Sequence, residues 1–425
     1  MKLRHITIIL ACIAVFAACD KDKNKDFDYT PQYQHKSPKR GVGFNFGQIP
    51  DADVSLLGPA LSWSYNWGIN NSNTVYSLFS QYGMDFCPMI WNTNWSEDSI
   101  RAFKAAHPSC RYLLAYNEPN LTDQANMVPS VAAKDWPRLV AIARELDMKI
   151  ISPAMNYGTL AGYHDPWKWL DEFFAQPEVS IDDVDGIAIH CYMNSSTATM
   201  GFLDGFKKYG KPIWLTEFCS WGSSNSIVSE EAQIRFMVEM LNALEADKQV
   251  FRYAWFIPRA NASWQAQSHQ SLLTSVIPVE LTNLGKVFVN MSTQDKSIWY
   301  RPGQEIPAEH YTGYTGDIHL QPTTDDSGVL DLTDLKKETA VEYQIELPED
   351  GSYPLQLRYN TFYNSTLRVE LDGQSLGLLD LPNTDYVWQI HEVRIPLKAG
   401  KHTLRLSGTV GMPVTLNWIR IGNMN

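Results

Sequence analysis

The sequence predicts an α/β domain, a (β/α)8 TIM barrel, followed by an all-β sandwich, and three observations predict it. Eight short apolar runs recur between residues 41 and 256, with helical patterns between several of them. No glycine-rich phosphate loop follows any run, which disfavours the rival doubly wound open sheet. After residue 303 the apolar period shortens to two, and no strong helical pattern returns.

The runs fall at residues 41–46, 61–67, 85–91, 112–118, 149–155, 186–192, 212–218 and 250–256. Each is too short for a helix and rich enough in apolar residues for a strand buried on both faces. Trp136, Leu139, Val140, Ala143 and Leu146 share one helical face, as do Ile234, Met237, Val238, Leu241 and Leu244. Ser229 is placed to cap the second of these helices. Pro302-Gly303 and Pro307 mark a joint. Beyond it Tyr353, Leu355, Leu357 and Tyr359 alternate with polar residues. So do Leu367, Val369 and Leu371, before the turn Asp372-Gly373, and Val414, Leu416 and Trp418 in a last strand.

The chain begins with an export signal. Lys2 and Arg4 precede an apolar run, 6–18, that is too short to span a bilayer as a mature helix. It ends Phe16-Ala17-Ala18-Cys19, which resembles a bacterial lipobox. That resemblance implies lipidation of Cys19 and an exported protein held on a bacterial membrane, at the outer membrane or cell surface, by its lipid alone. The charged run 20–26 reads as a tether. The expected organisation is signal peptide 1–19, tether 20–40, catalytic domain 41–302 and sandwich 303–425.

Lys and Arg number 35 against 47 Asp and Glu, so the 425 residues carry a formal charge of −12. Nucleic acid and anionic membrane surfaces are poor partners for such a chain. Aromatic residues make up 12%, and most of the 14 Trp precede residue 300. A Trp-rich core and a sugar-binding groove both fit that distribution. Cys87, Cys110, Cys191 and Cys219 follow no metal-binding spacing, so buried thiols or one disulfide are expected, with no metal or cofactor.

Two carboxylates carry the chemistry. Glu118 ends the fourth run in Asn117-Glu118-Pro119, and Glu217 ends the seventh in Leu215-Thr216-Glu217-Phe218. A carboxylate closing an apolar strand is costly unless solvated, paired or used. In a barrel, functional groups gather at the C-terminal strand ends, so this pair would face one mouth. Cleaving a glycosidic bond needs such a pair: one acid for the leaving oxygen and one charged partner.

Residues 41 to about 290 resemble glycoside hydrolase family 128, a family of β-1,3-glucanases. The resemblance is carried by Trp63-Ser64-Tyr65-Asn66-Trp67, Pro88-Met89-Ile90-Trp91, Asn117-Glu118-Pro119 and Gln124-Ala125-Asn126-Met127. Ser152-Pro153-Ala154, Trp169-Leu170-Asp171-Glu172-Phe173, His190-Cys191-Tyr192, Lys211-Pro212-Ile213-Trp214, Arg252-Tyr253-Ala254-Trp255-Phe256 and Leu284-Gly285-Lys286 continue it. It implies a retaining, endo-acting β-1,3-glucanase with Glu118 as acid/base and Glu217 as nucleophile. The ionised Glu217 would raise the pKa of Glu118.

The same resemblance places Asn117 on the sugar 2-hydroxyl and Tyr192, paired with His190, on the nucleophile. Gln124 and Asn126 become glucan contacts, and Tyr65, Trp67, Trp91, Trp221 and Trp255 candidate stacking platforms. Two departures stand out. Cys219-Ser220-Trp221 follows the nucleophile strand where the family carries a small-residue turn, and the stretch 262–280, with Trp264, is long.

The C-terminal part resembles carbohydrate-binding module family 6 through Ile306-Pro307-Ala308-Glu309, Val341-Glu342-Tyr343, Leu357-Arg358-Tyr359 and Leu416-Asn417-Trp418-Ile419-Arg420. That resemblance implies an aromatic sugar clamp, for which Tyr343 and Trp388 are the nearest candidates. Thr415 stands where that family has a ligand-binding Asn. Glu309 alone would make a poor calcium site. The sequence thus points to a monomeric enzyme acting on β-glucan. The alternatives are a surface protein that only captures glucan and a glycanase of another linkage specificity.

Overall fold

The computed structural model describes residues 36–221 and 229–424. The predicted signal segment, Cys19 and most of the tether lie outside the described residues.

Strands form where the eight apolar runs stand: β1 (Arg40–Gly43), β2 (Trp63–Tyr65), β3 (Asp85–Phe86), β4 (Tyr112–Leu114), β5 (Lys149–Ile151), β6 (Ile187–Cys191), β7 (Ile213–Phe218) and β8 (Val250–Trp255). They are shorter than the runs, mostly because the last residues of a run turn out of the ladder into loops. Their pairing is parallel, in the order β3-β2-β1-β8-β7-β6, with β4 beside β5. Single parallel bridges join Met89 to Leu114 and Ile151 to Gly186.

The helices among the described residues are α1 (Pro50–Leu57), α2 (Asn73–Gln81), α3 (Glu97–Ala106), α4 (Pro129–Glu145), α5 (Pro166–Phe174), α6 (Ser196–Asp204), α7 (Glu230–Ala246), α8 (Ala262–Ser268) and α9 (Asn283–Asn290). The two periodic stretches become α4 and α7. Their predicted faces are the buried ones, except that Leu146 lies just past the end of α4. Ser229 caps α7 as expected, accepting from Ala232 N at 3.1 Å. No helix among the described residues is long and apolar enough to cross a membrane.

One apolar core lies between strands and helices, and a second cluster is built mostly from side chains of the strands. Trp63, Tyr65, Met89, Leu114, Ile151 and Trp214 belong to this second cluster. It requires glycine at two strand positions. A Cβ on Gly41 would meet the Trp63 ring at 2.4 Å, and one on Gly186 the Trp214 ring at 2.6 Å. Arg252 enters the same space between Trp63, Tyr112 and Trp214, with its charge met by Asp85.

The remaining strands are β9 (Glu305–Pro307), β10 (Gly313–Thr315), β11 (His319–Pro322), β12 (Leu330–Leu335), β13 (Ala340–Leu347), β14 (Gly351–Asn360), β15 (Ser365–Leu371), β16 (Gln374–Leu381), β17 (Gln389–Leu397), β18 (Gly400–Gly408) and β19 (Val414–Ile421). They form two antiparallel sheets, β10-β13-β18-β15-β16 and β11-β12-β19-β14-β17, with β9 on β19. Period-two burial follows the sequence: Leu367, Val369 and Leu371 point inward from β15.

Tyr343 faces this core. It is fully buried and its hydroxyl donates to Ala308 O at 2.8 Å, so it has no ring face for a sugar. The predicted clamp of Tyr343 and Trp388 is therefore corrected. Trp388 is half-buried before β17, with its indole N–H on Thr324 Oγ1 at 3.1 Å.

The α/β and all-β parts are joined through their cores. Apolar packing runs continuously from Val42 through Met291 and Tyr300 to Ile306, Tyr311 and Leu320. The Tyr311 hydroxyl donates to Asn242 on α7 at 2.9 Å, and Gln294 donates to Asn242 O at 3.0 Å. Arg40, 1% exposed, donates to the carbonyls of Phe288, Met291 and Ser292 that end α9, and pairs with Glu245. A cation so deep is stable because three carbonyls, the Tyr253 hydroxyl and the Glu245 carboxylate meet it. The four described cysteines are free thiols, three of them buried.

Candidate active site

Three strand ends meet at one point. Past β4 the chain runs through Ala115 and Tyr116 to Asn117, whose N–H bonds Trp91 O at 2.9 Å. Glu118 follows in a left-handed turn, φ 44°, which costs on the order of 1–3 kcal/mol for a non-glycine residue. On β7, Glu217 stands in register with His190 of β6. Glu118 and Glu217 are 6% and 4% exposed, and His190 is fully buried. One oxygen of each carboxylate and a ring nitrogen of His190 lie within 4.8 Å of one another.

The two carboxylates are dressed differently. Glu217 Oε1 accepts from the Tyr65 hydroxyl and the Trp67 indole N–H, both at 2.7 Å. Its Oε2 accepts from the Tyr192 hydroxyl. An indole N–H can only donate, so this cradle suits a charged carboxylate. Glu118 Oε1 accepts from the Asn156 amide at 3.0 Å and faces His190 Nδ1 at 2.8 Å.

His190 governs the proton balance. Burial pulls its pKa down, but the charges of Glu217 and Glu118 more than offset this and raise it. Burial pushes Glu118 up, yet the His190 cation beside it and the Asn156 bond hold it below its ordinary value. Glu217 is raised by burial and by the Glu118 charge, against His190 and the donors on it. The repulsion between the two carboxylates thus falls on Glu217, while His190 and Asn156 hold Glu118 down, the reverse of the direction expected from Glu217 alone. Tyr65 and Tyr192 are pushed far up by burial and the Glu217 charge, so both stay protonated donors. Every carboxylate oxygen named here already accepts a bond, so the three groups form a proton-sharing cluster whose lone pairs are engaged.

The pair opens into a cleft of about 800 Å³, ample for a sugar chain segment. Trp67, Trp91, Asn117, Gln124, Tyr192 and Trp221 line it together with Glu118 and Glu217. Asn117 is nearly buried. Its amide donates to Gln124 Oε1 at 3.1 Å, while its Oδ1 has no partner.

Four predicted residues do other work. Tyr65 is fully buried, so it holds Glu217 through its hydroxyl and is no platform. Trp255 is also fully buried, packed edge-on against Phe218 with its N–H on Gln270 O. Strand alternation gives the cleft to Phe256 instead, one residue on. His190 has no exposed surface and meets carboxylates, not sugar. Asn126 is exposed and outside the cleft lining. Its neighbours Ala125 and Met127 are pinned by bonds to Asn117 O and Pro119 O, and the chain turns at φ 49° between them.

Sequence reasoning missed Asn156, Phe256, Ile257, Leu121 and Asp123, all in the cleft. Trp264 was marked only as part of a long stretch, and it lines the cleft too. The signal available for Asn156 was its place just after the fifth apolar run.

The family described as "Glycosyl hydrolase catalytic core" matches residues 41–288. An endo-β-1,3-glucanase of GH128 subgroup II from Pseudomonas viridiflava is 38% identical, with TM-score 0.54. The match covers 60% of this chain and 98% of that one. A second subgroup II endo-β-1,3-glucanase, from Sorangium cellulosum, is 33% identical with TM-score 0.52, covering 59% and 97%. Alkali-sensitive linkage protein 1 of Schizosaccharomyces pombe is 25% identical over 262 residues, which are 60% of this chain. The chain spans only 45% of that curated relative's length.

Proposed function

The chain belongs to the glycosyl hydrolase catalytic core family and to glycoside hydrolase family 128, and from that premise we propose that this glycoside hydrolase is a retaining endo-β-1,3-glucanase. The observation that carries the mechanism is the close approach of two unequally dressed carboxylates. An inverting enzyme needs room for a water between them, roughly 6.5–9.5 Å, and a retaining one only about 5–5.5 Å. Oxygens within 4.8 Å suit the second.

In this reading Glu217, oriented by Tyr65, Trp67 and Tyr192, attacks the anomeric carbon. Glu118 takes the proton held on His190 across their hydrogen bond and passes it to the leaving oxygen. A glycosyl ester forms on Glu217 and its charge is lost. Glu118, now a carboxylate, draws a proton from water, and the resulting hydroxide displaces the ester. Asn117, with its free Oδ1, is placed to accept from a sugar hydroxyl. We take the parallel pairings as a closed (β/α)8 barrel, and the leader as that of a lipoprotein held at Cys19. The subgroup II relatives, both endo-acting on β-1,3-glucan, support the linkage and the endo action.

The test is product analysis on linear β-1,3-glucan, cellulose, xylan and mixed-linkage glucan. Proton NMR during the reaction is expected to show β-anomeric oligosaccharides from the β-1,3-glucan first. Initial release of the α-anomer would refute retention, and preferential cleavage of another polymer would refute the linkage.

A second prediction concerns pH. His190→Asn keeps a hydrogen-bonding group near Nδ1 but cannot carry the proton. The proton must then reside on a carboxylate, where burial and the charge of the other carboxylate, in place of the imidazole, set the pKa. The basic limb of kcat/KM against pH is expected to move. A limb that stays in place would remove His190 from the proton balance.

A further inference from the structure

The cleft is chemically lopsided. The loops after β4 and β5 bring polar groups, among them Gln124 and Asn156. The β7–β8 side brings an aromatic wall of Trp221, Phe256 and Trp264. The two indoles lie 4.8 Å apart at 67°, with Phe256 5.7 Å from one and 5.9 Å from the other.

The wall comes from the two stretches that depart from the family pattern. Trp221 follows β7, and Trp264 sits on α8. Seven residues make a helix that would not stand alone in water. It is held from inside. Gln233 of α7 is fully buried, and its amide nitrogen donates to Ser268 O on α8 at 2.5 Å and to Ser220 O at 2.9 Å. Its Oε1 accepts from Ser220 N at 3.3 Å. One amide thus grips the residue before Trp221 and the helix bearing Trp264. Only a side chain with two N–H donors and an acceptor can make all three bonds.

We propose that Trp221 and Trp264 form a stacking subsite for a glucosyl ring of the substrate, and that Gln233 is a positioning residue that sets their spacing. The apolar C–H face of a glucosyl ring packs on indole, and the equatorial hydroxyls at its edge stay free for water or polar side chains. This rests on the reading of the cleft as a glucan site.

The test is calorimetric titration of Glu217→Gln protein with β-1,3-, β-1,4- and mixed-linkage gluco-oligosaccharides. Adding Trp264→Ala is expected to weaken binding of β-1,3-oligosaccharide about tenfold. Gln233→Leu, similar in bulk but without hydrogen bonds, is expected to weaken it comparably. The double variant should lose less than the product of the two, since both remove one platform. Thermal melts check each fold, and the half-buried Trp264 carries the test should Gln233→Leu not fold. Unchanged affinity in Trp264→Ala overturns the subsite. Additive losses, or none from a folded Gln233→Leu, overturn the positioning role. Binding of another linkage, still weakened by Trp264→Ala, overturns the β-1,3 reading and supports the subsite. Binding of no gluco-oligosaccharide overturns both.

Discussion

Glu217→Gln is expected to reduce turnover of β-1,3-glucan by on the order of 10⁴-fold while glucan binding is largely kept. The amide is nearly isosteric, so the cleft walls should keep their shape. What is lost is the nucleophile: an uncharged carboxamide cannot form the glycosyl ester. The three donors on Glu217 sharpen the expectation. Trp67 N–H and two tyrosine hydroxyls are aimed at oxygens, and a glutamine must turn an NH₂ toward one side. The Tyr192 hydroxyl can rotate to accept from it, whereas Trp67 cannot. Rates near wild type would remove Glu217 from the nucleophile role.

Glu118→Ala is expected to cost on the order of 10²–10⁴ on natural glucan. The loss should be far smaller for the first step on an aryl glycoside whose phenolate departs without protonation. Ester hydrolysis then lacks its base, so the glycosyl-enzyme should accumulate and appear as a mass increase on the Glu217 peptide. Equal losses on both substrates would show that Glu118 is not the acid. The pairing of the two variants separates their roles, because only one of them should trap the ester.

Both carboxylates were legible in the sequence because a charge that closes an apolar strand has few structural explanations. The eight strands and the two long helices were legible for a similar reason, since burial imposes its period on the residues. What was not legible depended on where a chain turns. Glu118 and Trp67 reach the cleft through positive φ angles that no side-chain pattern announces. Trp255 and Phe256 are neighbours of equal aromatic character, and only the pleat decides which one faces the cleft. Tyr65 and Tyr343 read as exposed rings because sequence shows a ring but not the hydroxyl partner that draws it inside. The raised pKa of His190 was hidden for another reason: it depends on a 2.8 Å approach of His190, on β6, to Glu118 in the turn beyond β4 that only the tertiary fold creates.

The shared core at the joint has a mechanical consequence. Flexibly linked accessory domains let a catalytic unit sweep a disc of polymer around its anchorage. Here Tyr311 is keyed to Asn242 on α7 and the apolar core runs on from Met291 to Ile306, Tyr311 and Leu320, so Pro302-Gly303 is a corner and not a hinge. Anything gripped by the antiparallel sheets would be presented to the cleft at one fixed offset, as on a jig. The two parts should also melt in one transition. A fragment trimmed at the corner would leave α7 and α9 with a bare oily flank and should be prone to aggregate.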